Sequence, residues 1–196
     1  MSLPEQDLSD REKEYLLLMR EEELMAKEVY EYLYGLYQLP VFNNISRAEN
    51  THTLTVKVLL DKYGVSDPAK GHRPGEFSDP EMQKLYKTLT AQGSQSLQDA
   101  LVAGITIEDM DIYDLQRCLE DVDNTDIRLV FENLMKGSRN HMRAFYGHLT
   151  GRGQNYAPKY ISKEYFDEIV GSDWETGNGI CLYCAGIRSG KGPNRQ

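Results

Sequence analysis

Residues 41–64, VFNNISRAENTHTLTVKVLLDKYG, contain the pattern on which the interpretation of the whole chain rests. Glu49 and His52 are three residues apart, and at about 100° per residue such positions share one face of a helix. The same face continues through Val56 and Leu59, so the acid and the imidazole lie on the apolar stripe. A buried carboxylate beside a buried imidazole is costly unless a cation compensates. Alone, however, the pair is more simply explained as a solvated glutamate and a core histidine, and the other helices must decide.

The rest of the chain predicts an all-α protein. Apolar spacing and capping residues predict four long helices and two short ones, over 8–38, 42–63, 97–122, 126–150, 80–92 and 162–170. In this prediction Pro40 ends the first helix. We find no convincing strand.

The stretch between the second and third long helices predicts a long connection. Residues 64–80, GVSDPAKGHRPGEFSDP, are rich in Gly, Pro, Asp and Ser and end in an N-cap, Ser78 or Asp79, before Pro80. This arrangement predicts a four-helix bundle whose long crossover contains a short extra helix. We expect residues 1–170 to form the bundle and residues 171–196 a flexible, Gly-rich tail.

Composition disfavours several classes of function. The 196 residues include 31 acidic and 22 Lys or Arg side chains, and a formal net charge of −9 repels nucleic acid and anionic membranes. No apolar stretch approaches the roughly 20 residues that span a bilayer. The N-terminus, MSLPEQDLSD, lacks the apolar segment of a signal peptide. We therefore expect a cytoplasmic protein, although a signal peptide already removed would leave no trace.

The first and third long helices each add acids to an apolar stripe. In the first helix Glu23 shares a face with Met19, Ala26 and Tyr30, whereas its neighbours Glu21 and Glu22 are predicted on the surface. The hydroxyl of Tyr30 could reach a carboxylate of the site, and a packed core tyrosine is the alternative.

In the third helix Glu108 and Asp111 interrupt an apolar face, and Asp109 and Asp114 point elsewhere. Asp111 is the less secure of the pair, because Ile112 marks the stripe equally well.

The fourth long helix supplies a second inward imidazole, His141. Its stripe includes Ser138, at the position where a second Glu-x-x-His would need its glutamate, whereas Glu132 faces outward. Four carboxylates and two imidazoles, from all four long helices, match the inventory of a di-iron or di-manganese site. Four carboxylates would also balance two divalent cations. The candidate ligands are Glu23, Glu49, His52, Glu108, Asp111 and His141.

These residues lie within segments that resemble a known family. The segments MREEELMAKEVYEYLY, VFNNISRAENTHTLTVKVLLDKYG, QGSQSLQDAL, IEDMDIYDL and ENLMKGSRNHMRAF, within residues 10–170, resemble the ferritin-like family known as domain of unknown function 2202. The wider superfamily includes rubrerythrin, ferritin and bacterioferritin. The resemblance implies a ferritin-like four-helix bundle. It also implies ligand roles for Glu23, as in the first helix of rubrerythrin, and for Glu49 and His52.

The chain departs from that superfamily at the fourth long helix. The resemblance carries over His141 but not its glutamate, because Ser138 stands at that position. We expect Asp111 to supply the missing carboxylate. Otherwise the second metal position is weak, singly occupied or absent.

The expected function is an oxidoreductase in which two Fe ions react with dioxygen or peroxide and pass from the ferrous to the ferric state. Mn is an alternative, and these donors do not exclude Zn. In this hypothesis Glu23 and Asp111 are terminal ligands, and Glu49 and Glu108 are the candidates for bridging ligands. His52 and His141 each give one nitrogen ligand to one metal.

Two other functions stay open. The bundle could be a metal-binding or interaction module without turnover, with a structural or vestigial site. Iron storage in a shell ranks below both. Bundles of this class often form homodimers, and a homodimer is the expected assembly if the chain has one.

The cysteines predict little by themselves. Cys181 and Cys184 form a single Cys-x-x-Cys pair in the tail, half of what a structural zinc site needs. The pair could join another subunit's tail, act as a redox dithiol, or be two incidental thiols. Cys118 is predicted to pack in the third long helix.

Overall fold

The computed structural model describes residues 6–176, and this part of the chain is helical. Apart from an isolated bridge between Arg73 and Glu76, it contains no β pairing. The predicted all-α class and all six helices are confirmed. The helices are α1 Asp10–Tyr37, α2 Pro40–Lys62, α3 Pro80–Gly93, α4 Leu97–Asp121, α5 Thr125–Thr150 and α6 Lys163–Gly171. Cys181 and Cys184 lie outside the described residues.

Pro40 has a different role from the predicted one. Helix α1 ends at Gln38, whose left-handed backbone (φ 51°) directs its N–H to the carbonyl of Tyr34. Pro40 is the first residue of α2, where a missing N–H costs nothing. Only two residues separate α1 from α2, which pack along their length as an antiparallel pair.

Two apolar clusters define the direction of each long helix. The first contains Val29, Phe42, Leu101 and Phe145, and the second contains Leu16, Leu59, Leu115 and Phe131. Helices α1 and α5 run from the second cluster to the first, whereas α2 and α4 run from the first to the second.

The crossover between α2 and α4 follows from these directions. Because α2 and α4 are parallel, their connection must return along the bundle, and residues 63–96 do so. Within the connection Asp79 caps α3, with its carboxylate accepting from the N–H of Glu81 at 2.7 Å, and Pro80 is the first helical residue, as predicted.

The crossover lies against α1 and is held there by two buried acids. Glu21 accepts from the N–H of Ser78 at 2.8 Å, and Glu28 accepts from the N–H of Gly75 at 2.7 Å. Helix α3 packs on both α1 and α4. This cover buries a face of α1 that would be solvated in a bare bundle. Between residues 6 and 176, no helix is long and apolar enough to span a membrane.

Candidate metal centre

A layer of ionisable side chains separates the two apolar clusters. Each long helix contributes to it midway between its own apolar residues. All members are buried except His52, whose side chain is 17% exposed. Such burial is costly unless the groups are paired or bind a metal. The layer consists of Glu22 and Glu23, Glu49 and His52, Glu108 and Asp111, and Ser138 and His141.

One group of three potential ligands joins α1 to α2. Nδ1 of His52 lies 2.6 Å from Oε2 of Glu49 and 3.2 Å from Oε2 of Glu23. One ligand atom from each residue lies within 4.8 Å of the other two, a spacing that one ion can bridge.

A second group of three joins α2 to α4 and α5. Nδ1 of His141 lies 2.7 Å from Oε1 of Glu49 and 3.5 Å from Oε2 of Glu108. Glu49 thus belongs to both groups and uses a different oxygen in each. The two imidazole rings stack with centroids 5.6 Å apart. This is a paired arrangement with one shared carboxylate at its centre.

Electrostatic coupling runs through the whole layer. Burial alone would lower the pKa of His141, but Glu49 and Glu108 raise it to about 10. The pKa of His52 is likewise raised, by Glu23 and Glu49 against the effect of burial. Burial would raise the pKa of Glu49, and the two imidazoles overcome it and lower that pKa. The carboxylates therefore favour positive charge at both Nδ1 positions.

Several buried polar atoms in the layer have no hydrogen-bond partner and are therefore available to bind a metal. Oε1 of Glu23, Oδ1 of Asp111 and Nδ1 of His141 are buried and have no hydrogen-bond partner. Nδ1 of His141 approaches Glu49 closely, but without hydrogen-bond geometry. Carboxylate oxygens and imidazole nitrogens suit Fe, Mn and Zn. The residues present thus fit a pair of divalent ions.

Asp111 lies near the two groups but belongs to neither. Its Oδ2 accepts a hydrogen bond from the hydroxyl of Ser138, and its Oδ1 has no partner. The pKa of Asp111 is raised to about 8, chiefly by burial and next by the negative charge of Glu108. Ser138 of α5, which stands where a second Glu-x-x-His would have its glutamate, therefore orients the Asp111 carboxylate of α4. The structure thus places Asp111 in the layer but in neither group of three potential ligands.

Tyr30 contacts the candidate centre through a hydrogen bond to Glu108. Its hydroxyl donates to Oε1 of Glu108, and the carbonyl of Gly104 lies 3.3 Å away. The ring also packs on Phe145 in the first apolar cluster. The proposed contact with a carboxylate of the site and the alternative role in the core are both present.

The surface positions predicted for Glu21 and Glu22 are wrong. Glu21 is 7% exposed and Glu22 only 1% exposed. Helical periodicity placed both on the solvated face, but the crossover covers Glu21, and Glu22 faces α4. Two features of the sequence could have indicated their burial. One is the run of three consecutive glutamates in α1, and the other is the long Gly- and Pro-rich connection that follows α2 and can cover them.

Asp109 is a further buried acid that the periodicity did not assign to the interior. Its carboxylate accepts from the hydroxyl of Tyr156 at 2.8 Å and from the N–H of Ile161 at 3.0 Å. It therefore fixes the segment before α6 and has no place in the candidate centre. Glu132 is exposed, as predicted.

A cavity of about 400 Å³ opens beside His141. His141 forms part of the cavity wall, whereas its Nδ1 is buried beside Glu49 and Glu108. Trp174, 59% exposed, lies at its wall. The lining residues are Pro40, Val41, Asn44, Ile45, His141, Ala144, His148 and Trp174.

Glu175 fixes the position of Trp174. Its Oε1 accepts from Nε of Arg139 at 2.7 Å and from Nη1 of Arg143 at 3.1 Å. Its backbone N–H and carbonyl both bond to the Asn140 amide, each at 3.0 Å. The end of the described chain is thus attached to α5 next to a candidate ligand.

Comparison with known proteins adds a family and a fold. A family model described as an uncharacterized protein domain, DUF2202, matches residues 12–173. The uncharacterized protein MJ0754 of Methanocaldococcus jannaschii is 52% identical over 176 residues, or 90% of this chain and 95% of that protein. The crystal structure of the hypothetical protein MJ0754 from Methanococcus jannaschii DSM 2661 superposes with a TM-score of 0.87 at 51% identity. That match covers 89% of this chain and 100% of that chain.

Proposed function

This chain belongs to the DUF2202 family, and from that premise we propose that it is a ferritin-like protein that holds two metal ions and reacts with dioxygen or peroxide. The observation that carries the proposal is the shared position of Glu49. Its two oxygens face two imidazoles from different helices, and each imidazole has its own second carboxylate. A carboxylate that serves two ligand groups is the arrangement of a two-metal site in a helical bundle.

Iron is the preferred metal in this proposal, with manganese or zinc as alternatives. Oxygen and imidazole donors suit all three, so the donor set does not rank them. Two ferrous ions held there would supply the two electrons that, with two protons, reduce one hydrogen peroxide to two waters.

The protein's residues would hold and orient the pair. Glu49 would bridge, Glu23 and His52 would complete one position, and Glu108 and His141 the other. The Tyr30 hydroxyl would fix the orientation of Glu108, since a ligand held by an outer hydrogen bond keeps its geometry.

Asp111 would add the fourth carboxylate through its unpartnered Oδ1. With it, four negative charges would balance two divalent cations. Dioxygen and peroxide are small enough to enter the cavity beside His141.

The direct test is to load the protein with Fe²⁺ without oxygen and then add hydrogen peroxide. We expect two Fe per chain and a rise in ferric absorbance that saturates at one peroxide for two Fe. Glu49→Gln should abolish binding at both positions, whereas Glu23→Gln should leave one ion. Glu132→Gln on the exposed face of α5 is the matched control. A folded protein that takes up no iron would overturn the proposal.

A site without turnover is the second candidate function. It is favoured by Ser138, which removes one expected glutamate, and by the place of Asp111 outside both ligand groups. His52→Ala combined with His141→Ala separates the two functions. Loss of reaction with an intact fold indicates catalysis, whereas unfolding indicates a structural metal.

A further inference from the structure

The cavity beside His141 is larger than the proposed two-metal function requires. Its volume is about 400 Å³. A water molecule takes up about 30 Å³ in the liquid, and hydrogen peroxide has only one oxygen atom more. Pockets that bind small organic molecules have volumes of about 300–1,000 Å³. The cavity therefore has room for a second, larger molecule besides the oxidant.

A short side chain on α5 leaves this space open. His141, Ala144 and His148 share one face of α5, because they are three and four residues apart, and they span about 10 Å along its axis. The methyl group of Ala144 leaves space between the two imidazoles. Val41 and Ile45, one turn apart near the start of α2, add apolar side chains to the wall. The space lies between two helices of the bundle, where ligand sites commonly form.

Trp174 adds a large aromatic surface to the wall. It is the only tryptophan of the chain and is 59% exposed. The residues around it are fixed by one arginine, because Nη2 of Arg143 donates to the hydroxyl of Ser172 at 2.9 Å and Nη1 donates to Glu175 at 3.1 Å. An indole held in this way can pack against another ring and bury apolar area without first having to be ordered.

The polar groups of the wall carry no unbalanced charge. Burial and the charge of Arg152 lower the pKa of His148, so this imidazole is mostly neutral at pH 7 and offers both a donor and an acceptor. Asn44 adds a neutral amide. Positive charge on His141 would be balanced by Glu49, 2.7 Å from its Nδ1. Because an ion would lose its hydration here without gaining a partner, an uncharged ligand suits this wall better.

We infer that this cavity binds a small, uncharged aromatic alcohol, with its ring against Trp174 and its hydroxyl towards Asn44 and His148. Mostly apolar walls with a few convergent polar groups are typical of sites for such molecules. The bound alcohol would lie next to His141, a candidate metal ligand. The binding site goes beyond the two-metal function and does not depend on it, because protein side chains alone form its walls.

The experiment titrates the purified full chain with benzyl alcohol and with two charged molecules that carry the same ring, benzoate and benzylammonium. Selective excitation of tryptophan follows Trp174 alone, because the chain has no other tryptophan. Calorimetry gives the affinity independently of fluorescence. Ala144→Leu fills the cavity and keeps the fluorescent residue. Ala91→Leu is the matched control, since Ala91 is exposed on α3, which packs on α1 and α4.

We expect benzyl alcohol to shift the emission of Trp174 to shorter wavelength and to saturate with a Kd of about 1 mM, as suits a ligand of about eight non-hydrogen atoms. Benzoate and benzylammonium should bind about ten-fold more weakly, because their charges must be desolvated. Ala144→Leu should abolish the shift, whereas Ala91→Leu should bind benzyl alcohol like the unaltered protein.

An emission shift that does not saturate would refute the site, and unaltered binding by Ala144→Leu would place the alcohol elsewhere. Equal affinity for benzoate or benzylammonium would refute the uncharged class of ligand. If Ala144→Leu does not fold, Trp174→Ala decides by calorimetry, and an unaltered Kd in that variant is the contrary result. Each of these failures leaves the two-metal proposal intact, since none of the titrations requires a bound metal.

Discussion

At the residue scale, Gly137 determines where the imidazole of His52 can lie. A Cβ at position 137 would meet Cε1 of His52 at 2.6 Å and Nε2 at 2.9 Å. Side chains do not tolerate such distances, so the ring or helix α5 would have to move. Gly137 therefore has a specific role in the centre although it offers no ligand atom.

Gly137→Ala should displace the His52 ring and weaken the ion at the Glu23–His52 position. We expect a loss of about 10- to 100-fold in affinity there, as for other changes that misplace a ligand. The His141 position should retain its ion. Titration of metal-free protein with Co²⁺, followed by calorimetry, measures the two affinities separately.

Gly147→Ala on the same helix is the control. A Cβ at position 147 meets nothing within 4 Å. The substitution should therefore stabilise the protein by about 0.5–1 kcal/mol, because alanine loses less backbone entropy in a helix. If the two alanine variants bind metal alike, the placement of His52 against Gly137 is wrong.

The buried acids show what sequence periodicity could and could not distinguish. The apolar stripe of α1 correctly predicts Glu23 as an inward residue, because Met19 and Tyr30 lie on the same helical face and are both buried. The same stripe could not reveal Glu21 and Glu22, since their burial depends on the crossover and on α4. Tertiary packing from distant parts of the chain decided both.

At the element scale, Glu12 joins the start of α1 to the turn between α4 and α5. Its carboxylate accepts from the N–H of Ser9 at 3.0 Å, which completes a capping box, and from the N–H of Asn124 at 3.0 Å. Burial would raise the pKa of Glu12, but these donors lower it below the ordinary 4.5. A carboxylate with a lowered pKa stabilises the fold while it is ionised.

Glu12→Gln should lower the free energy of unfolding at pH 7 by about 1–3 kcal/mol, since backbone donors lose a charged acceptor. Because the folded pKa lies below the unfolded one, this contribution is complete above the unfolded pKa. It is lost as the pH falls through the folded pKa. Urea denaturation of both proteins from pH 7 down to pH 3 measures the difference.

The difference between Glu12→Gln and the unaltered protein should therefore shrink below about pH 4.5, the ordinary value for glutamate. Glu14→Gln, two residues away and exposed, should show no such pH dependence. A constant difference across the pH range would show that the carboxylate charge of Glu12 does not stabilise this junction.

The boundaries of the helices were predictable where a local signal existed. Asp79 followed by Pro80 marks the start of α3 because a capping carboxylate and a residue without an N–H both suit that position. Pro40 was assigned to the end of α1, because a proline equally excludes continuation of a helix. The left-handed residue Gln38, which separates the two helices, carries no such signal in the sequence.

At the scale of the whole molecule, the polar layer divides the bundle into two apolar halves. The sequence predicts at least one inward acid or imidazole on each of the four long helices, because the apolar period continues on both sides of these residues. It could not predict that both ligand groups would share Glu49, since that depends on how far α2 and α5 are displaced along each other. Nor could it predict the position of Asp111, which lies beside Ser138 but outside both ligand groups.

The most direct test of the account is to locate the metal. Crystals of the protein grown with Mn²⁺, measured on both sides of the manganese absorption edge, would give an anomalous difference map. We expect two peaks between the four long helices, one beside Glu23 and His52 and the other beside Glu108 and His141, with Glu49 between them. A map without peaks in the folded protein, or a single ion remote from Glu49, would contradict the two-metal account.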